Sequence, residues 1–134
     1  MKMHQERSYT IALENVPDIA DVRILLEILR DMGASVEYES DSTVILDCTG
    51  INSTRPNPEL VCKMRASYYL MGALLRRFGK AHVTLPGGCN FGVRPIDQHL
   101  KGFEALGAET RLVDGAIIEA TCAEEEGLVG THIY

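Results

Sequence analysis

Apolar positions recur at helical spacing in three stretches of the chain. Over 18–32, Val22, Leu25, Leu26 and Leu29 form one stripe, as expected of an amphipathic helix. Asp18 is placed to cap its start, and Gly33 stands where a left-handed residue ends a helix. A second helix is predicted over 58–78, with the stripe Leu60, Met64, Tyr68, Met71, Leu75 and Phe78. Asn57 suits its N-cap and Pro58 its first position, while Gly79 follows the basic last turn of Arg76 and Arg77. The third, over 95–106, opens at Pro95, buries Ile96, Leu100 and Phe103, and stops at Gly107.

Between the helices lie short runs rich in β-branched residues, at 9–13, 35–38, 43–47, 81–85, 109–113 and 116–121. They read as strands. Asp114-Gly115 is a hairpin turn signal. Residues 49–58 (TGINSTRPNP) are loop by composition.

The pattern also repeats. Met32-Gly33-Ala34 matches Leu106-Gly107-Ala108, and Cys48 falls on Cys122, both at an offset of 74 residues. Leu26 and Leu29 fall on Leu100 and Phe103 in the same register. Repeated supersecondary units bury their faces against one another. The expected fold is α/β of the α+β type, built from strand-helix-strand-strand-helix-strand units, of which about one and a half are present. Residues 1–8 read as a polar tail, 9–85 as the first unit, 86–94 as a loop and 95–134 as a partial second unit. The chain reads as cut before a further helix.

Composition sets bounds on function. At 134 residues the chain can bury roughly two thirds of its unfolded surface in one domain. It is 46% apolar and 24% charged, without an apolar run long enough for a membrane span. The MKMHQERS start lacks the apolar core of a signal peptide, so the cytoplasm is the expected compartment. A net charge of −6 argues against a nucleic-acid partner. Basic residues do gather at Lys63, Arg65, Arg76, Arg77 and Lys80, leaving room for a local anion site. The cysteines at 48, 62, 89 and 122 form neither a CxxC pair nor a zinc spacing, so four thiols and no metal are expected.

The chemistry-bearing stretch is LPGGCNFGVRPIDQHL, residues 85–100. A strand leads into a glycine-punctuated loop, and a helix follows from Pro95. Glycines let a ligand approach the backbone closely. Arg94 precedes the helix, whose first N–H groups favour an anion. A thiol at Cys89 near an arginine and a helix start is a candidate nucleophile or proton donor, since the thiolate is the reactive form. Against this stands the commoner use of a lone cysteine as a small buried apolar residue.

PGGCNFGVRPIDQH resembles the active-site loop of the UDP-N-acetylglucosamine 1-carboxyvinyltransferase family. KMRAS at 63–67, ENVPDIADV at 14–22 and KGFEALGAE at 101–109 resemble further family motifs. The likeness covers nearly everything from residue 9 onward. It implies an inside-out α/β prism of repeated units, and transfer of the enolpyruvyl group of phosphoenolpyruvate to the 3-hydroxyl of UDP-N-acetylglucosamine. That step commits material to peptidoglycan, and no cofactor is implied. Cys89 matches the proton donor, the thiol that adds to phosphoenolpyruvate and that fosfomycin alkylates.

Arg65, Arg94, Pro95, Ile96, Asp97 and Gln98 match positions that hold the UDP-sugar, although position 98 is commonly leucine in the family. Read without the family, Arg65 is equally a solvated helix arginine. His99 reads as a packing residue, and Cys48, Cys62 and Cys122 as core or incidental thiols. The family's N-terminal Lys-Asn pair and second domain have no counterpart in the sequence, which leads us to expect no turnover from this chain alone. Three other readings remain: a shikimate-pathway relative, a non-catalytic module that self-associates through exposed unit-packing faces, and a thiol redox protein. The first is disfavoured by the PGGC loop, the last by the lack of a nearby resolving cysteine.

Overall fold

A computed structural model of the protein describes residues 10–85, 96–123 and 127–132, with the side chains of Arg65 and Ser67 left out. The tail at 1–8, the loop at 86–94 and Pro95 therefore lie outside the described residues. In chain order the elements are β1 (Thr10–Leu13), α1 (Ala20–Asp31), β2 (Ser35–Ser40), β3 (Thr43–Asp47) and α2 (Pro58–Val61). A 3-10 turn follows (Arg65–Tyr68), then α3 (Tyr69–Phe78), β4 (Lys80–Thr84), α4 (Asp97–Ala105), β5 (Ala108–Val113) and β6 (Ile117–Cys122).

The strands form two antiparallel three-stranded sheets, ordered β1-β3-β2 and β4-β6-β5. Along β3, β4 and β6 burial alternates, as the two-residue period of a one-sided sheet requires. Val44 and Leu46 of β3, Ala81 and Val83 of β4, and Ile118 and Ala120 of β6 all point inward. One core joins both inner faces to the helices. Ile28 and Met32 come from the α1 region, Leu60 and Val61 from α2, and Met71, Leu74 and Leu75 from α3. Each sheet joins one strand to the hairpin that follows the next helix, the repeated unit expected from the sequence. Among the described residues no helix is long and apolar enough to cross a membrane.

The repeat is visible in the backbone. Gly33 and Gly107, 74 positions apart, both take positive φ (113° and 93°) directly after α1 and α4. Each leads into a hairpin, and Asp114 (φ 51°) and Gly115 (φ 69°) supply the two left-handed residues of a type I′ turn.

Three expectations need correction. The predicted helix over 58–78 is broken: the N–H groups of Lys63 and Met64 donate to Leu60 (3.0 Å) and Val61 (3.2 Å), and a 3-10 turn intervenes before α3. A straight rod of that length would run about 31 Å. The bend instead keeps α2 against α1 and α3 against β4 and β6. Leu60, Met64, Met71 and Leu75 are buried all the same, so the apolar period could not reveal the break.

Asp18 does not cap α1. The helix starts after Ile19 without a side-chain cap, and Asp18 instead takes the guanidinium of Arg23 at 2.6 Å. Asn57 caps α2 as expected, its side-chain oxygen accepting the Glu59 N–H at 2.9 Å.

β4 does not close the first unit but opens the second sheet. Lys80 pairs with Thr121 there as Thr10 pairs with Asp47 in the first. The hairpin partners Asp47 and Thr121 keep the 74-residue offset, whereas Thr10 and Lys80 are 70 apart. The second copy therefore holds four more residues between strand and hairpin. The connection at 14–19 corresponds to one at 85–96, the stretch that carries PGGC.

Candidate active site

Cys89, Arg94 and Pro95 lie outside the described residues, so what can be read is the frame around them. On the near side, β4 ends at Thr84, and the Leu85 N–H donates to the Ala116 carbonyl at 2.7 Å. On the far side, Ile96 is buried in the core and its carbonyl accepts the His99 and Leu100 N–H groups at 2.9 and 3.1 Å. Both ends of the connection are thus anchored to the body of the fold. Asp97 and Gln98 follow in the exposed first turn of α4, where N–H groups have no acceptor within the helix.

The segment bearing the KMRAS motif spans this gap. Cys62 Sγ lies 3.9 Å from the Leu85 carbonyl, weak as a bond but a contact at the start of the connection. At its other end the ring of Tyr68 meets the ring of His99 edge-on, centroids 4.6 Å apart. Arg65 opens the 3-10 turn between these two contacts. The bend that the apolar period concealed is what lets residues 62–69 face both ends of the loop. Arg65, Ile96, Asp97 and Gln98 therefore come from elements that touch.

Not all the basic residues join them. Arg77 is turned to the loop at 48–57: its guanidinium donates to the carbonyls of Cys48 (2.7 Å), Thr49 (3.1 Å) and Ile51 (3.4 Å). The same loop is held further along by the His82 N–H donating to the Thr54 carbonyl at 2.9 Å. This corrects the expectation of one basic cluster, since Arg77 is committed to backbone carbonyls.

The remaining thiols are unpaired. Burial, the largest influence, pushes the Cys48 thiol up, and nearby Arg77 opposes it. Cys48 therefore lacks the setting of a low-pKa nucleophile. Cys122 packs with Sγ 3.6 Å from the carbonyls of Leu75 and Gly79. His99 is exposed rather than packed in the core, with its ring against two tyrosines: the Tyr69 ring lies 6.4 Å away, centroid to centroid, and Tyr68 and Tyr69 are 5.2 Å apart. Tyr69 went unnoticed in the sequence because it falls off the apolar stripe of its helix. That displacement was the available signal.

Comparison with known proteins gives the family of the chain. Residues 5–134 match the family described as EPSP synthase (3-phosphoshikimate 1-carboxyvinyltransferase). The chain is 52% identical over 122 residues to the UDP-N-acetylglucosamine 1-carboxyvinyltransferase of Clostridium botulinum, covering 91% of this chain and 28% of that protein. A Caldanaerobacter subterraneus protein named UDP-N-acetylglucosamine 1-carboxyvinyltransferase 3 is 53% identical over 123 residues, with the same coverage. The chain thus spans about 28% of the length of these curated relatives. Among solved structures, the enolpyruvyl transferase NikO from Streptomyces tendae superposes with a TM-score of 0.69 at 29% identity, over 90% of this chain and 25% of that one. The repeated sheets and these likenesses lead to one conclusion: the chain belongs to the EPSP synthase family of carboxyvinyltransferases.

Proposed function

We propose that this chain supplies one wall of the active site of a cytoplasmic enzyme that moves the enolpyruvyl group of phosphoenolpyruvate to the 3-hydroxyl of UDP-N-acetylglucosamine, for peptidoglycan synthesis. The observation that carries the reading is the contact of residues 62–69 with both Leu85 and His99, which frames the loop holding Cys89. The curated relatives named for this reaction favour it over the shikimate-pathway alternative.

In this mechanism the Cys89 thiol delivers a proton to the methylene carbon of phosphoenolpyruvate while the sugar hydroxyl adds to the neighbouring carbon and gives its own proton to the phosphate group. The tetrahedral adduct then loses that protonated phosphate, and a proton from the methyl group returns to the Cys89 thiolate, which restores the double bond in the ether product. Arg94 and Arg65 hold the diphosphate as fixed cations. Pro95, Ile96, Asp97 and Gln98 hold the nucleotide through backbone groups at the start of α4, a role that tolerates glutamine at position 98. Charge stabilisation of this kind needs groups converging on a water-poor cleft. One wall does not provide that, so the isolated chain binds without turning over.

The test is mass spectrometry of the chain after treatment with fosfomycin and UDP-N-acetylglucosamine. A single adduct on Cys89 that depends on the nucleotide-sugar is expected; no adduct, or phosphate release by the chain alone, counts against the proposal.

A second reading, a non-catalytic self-associating module, is favoured by one feature. Ile11, Leu13 and Tyr38 are 48%, 39% and 58% exposed, and their cross-strand partners Leu46 and Val44 point into the core. They extend the inner apolar face of the first sheet into solvent. Light scattering separates the two readings, because only self-association through this face gives a dimer that Leu13→Lys abolishes.

A further inference from the structure

Arg77 and His82 both grip the loop at 48–57, and of the two only the histidine can change its charge near neutral pH. Arg77 holds the carbonyls of Cys48, Thr49 and Ile51. His82 holds Thr54 twice. Its backbone N–H donates to the Thr54 carbonyl at 2.9 Å, and its ring Nδ1 lies 3.5 Å from the Thr54 hydroxyl. The other ring nitrogen, Nε2, meets Glu119 at 2.9 Å, and the two side chains of that pair are only 13% and 18% exposed. Thr54 itself sits at the tip of a local turn. The Ser53 hydroxyl closes it, donating to the Arg55 carbonyl and accepting the Arg55 N–H, each at 3.1 Å.

These partners fix the neutral arrangement. A carboxylate only accepts, so Nε2 carries the ring proton toward Glu119 and Nδ1 accepts from the Thr54 hydroxyl. The hydrogen bond from Arg111 holds the Glu119 pKa below the ordinary 4.5, which keeps its carboxylate charged through the neutral range. When the ring takes a second proton, on Nδ1, the Thr54 hydroxyl turns to accept it. The long 3.5 Å contact then becomes a charge-assisted bond, the shorter and stronger kind, while Nε2 and Glu119 become an ion pair.

We propose that His82 is a pH-operated latch: on gaining a proton it tightens its hold on Thr54 and fixes the loop at 48–57 against the second sheet. Strand alternation puts Lys80 of β4, and Glu109 and Arg111 of β5, on the same sheet face, and Arg55 adjoins Thr54 in the loop. Lys80, Glu109 and Arg55 are exposed and of mixed sign. Arg111 takes the Glu119 oxygen that His82 leaves free, at 2.7 Å, and is itself 71% exposed, so water and salt screen its repulsion of the charged ring. Past Thr54 the loop runs to Asn57, the cap of α2, and so to residues 62–69. The latch therefore bears on the wall of the candidate site, whichever reaction the chain serves.

The reporter is the amide proton of residue 82, which the Thr54 carbonyl covers. Hydrogen exchange of the 134-residue chain, expressed as protection over the free-peptide rate at each pH, should show this amide gaining roughly two- to fivefold between about pH 8 and about pH 5. His82→Gln keeps a polar side chain that takes no proton, and Glu119→Gln removes the ion pair; each should abolish the gain. Urea unfolding at the same pH values is the control, because a merely structural histidine changes global stability and protection by the same factor. A gain at residue 82 larger than the global change, and absent from every variant that circular dichroism finds folded, supports the latch. No gain, a gain matched by global stability, or a gain kept in a folded variant overturns it.

Discussion

Gly33 and Gly50 stand back to back with no room for a side chain between them. A Cβ on Gly33 would lie 2.5 Å from the Gly50 carbonyl oxygen, and one on Gly50 would lie 2.6 Å from that of Gly33. The contact joins the end of α1 to the start of the loop at 50–57, where the Asn52 N–H also donates to the Met32 carbonyl at 3.3 Å. The loop that leads to α2 is thereby fixed against the helix, and with it the placement of the segment that spans the candidate site.

This gives a paired prediction. Gly107 is the repeat partner of Gly33 and shares its positive φ, yet a Cβ there meets nothing within 4 Å. Gly107→Ala should cost only the backbone penalty, about 1 kcal/mol. Gly33→Ala adds a clash with backbone that cannot rotate away and should cost roughly twice that or more. Urea unfolding of the two variants measures the difference, and equal costs would contradict it.

Arg77 is expected to hold the loop at 48–57. Its three carbonyl acceptors are hydrogen bonds to a charged donor, each of a kind worth about 1.5–3 kcal/mol. Arg77→Met should lower stability by about 2 kcal/mol and raise amide exchange across the loop. Arg77→Lys should restore only part of this, because an ammonium cannot span three acceptors in a planar fork.

The two helix starts differ in a measurable way. Asn57→Ala removes the side chain that caps α2 and should cost about 1 kcal/mol. Asp18→Ala breaks only an exposed ion pair with Arg23 and should cost less than about 0.5 kcal/mol. Thermal melts of both variants check the ordering.

Glu119 predicts a pH dependence. Its carboxyl accepts from Arg111 at 2.7 Å and pairs with His82 at 2.9 Å across the second sheet. The hydrogen bond from Arg111, with smaller help from His82, holds its pKa below the ordinary 4.5. A carboxylate whose pKa is lower folded than unfolded binds fewer protons in the native state. Its contribution to stability is therefore complete above about pH 4.5 and is lost as the pH falls through the lower folded value. Stability measured from pH 7 to 3 should show this decline, and Glu119→Gln should flatten it. A variant curve parallel to that of the unaltered protein would refute the assignment.

The thiols should label in order of exposure. Cys62 is exposed and Cys48 is half-buried with its thiol pushed up. Peptide mapping after brief treatment with iodoacetamide should find Cys62 modified well ahead of Cys48.

Local rules carried much of the fold. The period of Val44 and Leu46, the Asn57-Pro58 start, the glycines after each helix and the Asp114-Gly115 turn each depend on neighbours in sequence, so strands, helices and the repeat were legible there. The family resemblance came from the loop sequence itself. What neighbours cannot decide is how a rod bends once it meets a core. The same apolar stripe is buried by a straight helix and by the α2, 3-10 turn and α3 that form, so packing on two sheets decided the break at 62–68. Likewise β4 reads identically as the last strand of one unit or the first of the next, and only its partner β6 decides. The ring cluster of Tyr68, Tyr69 and His99 joins elements about thirty residues apart in sequence. It exists because the start of α4 and the start of α3 lie against one shared core, a placement that no local pattern sets.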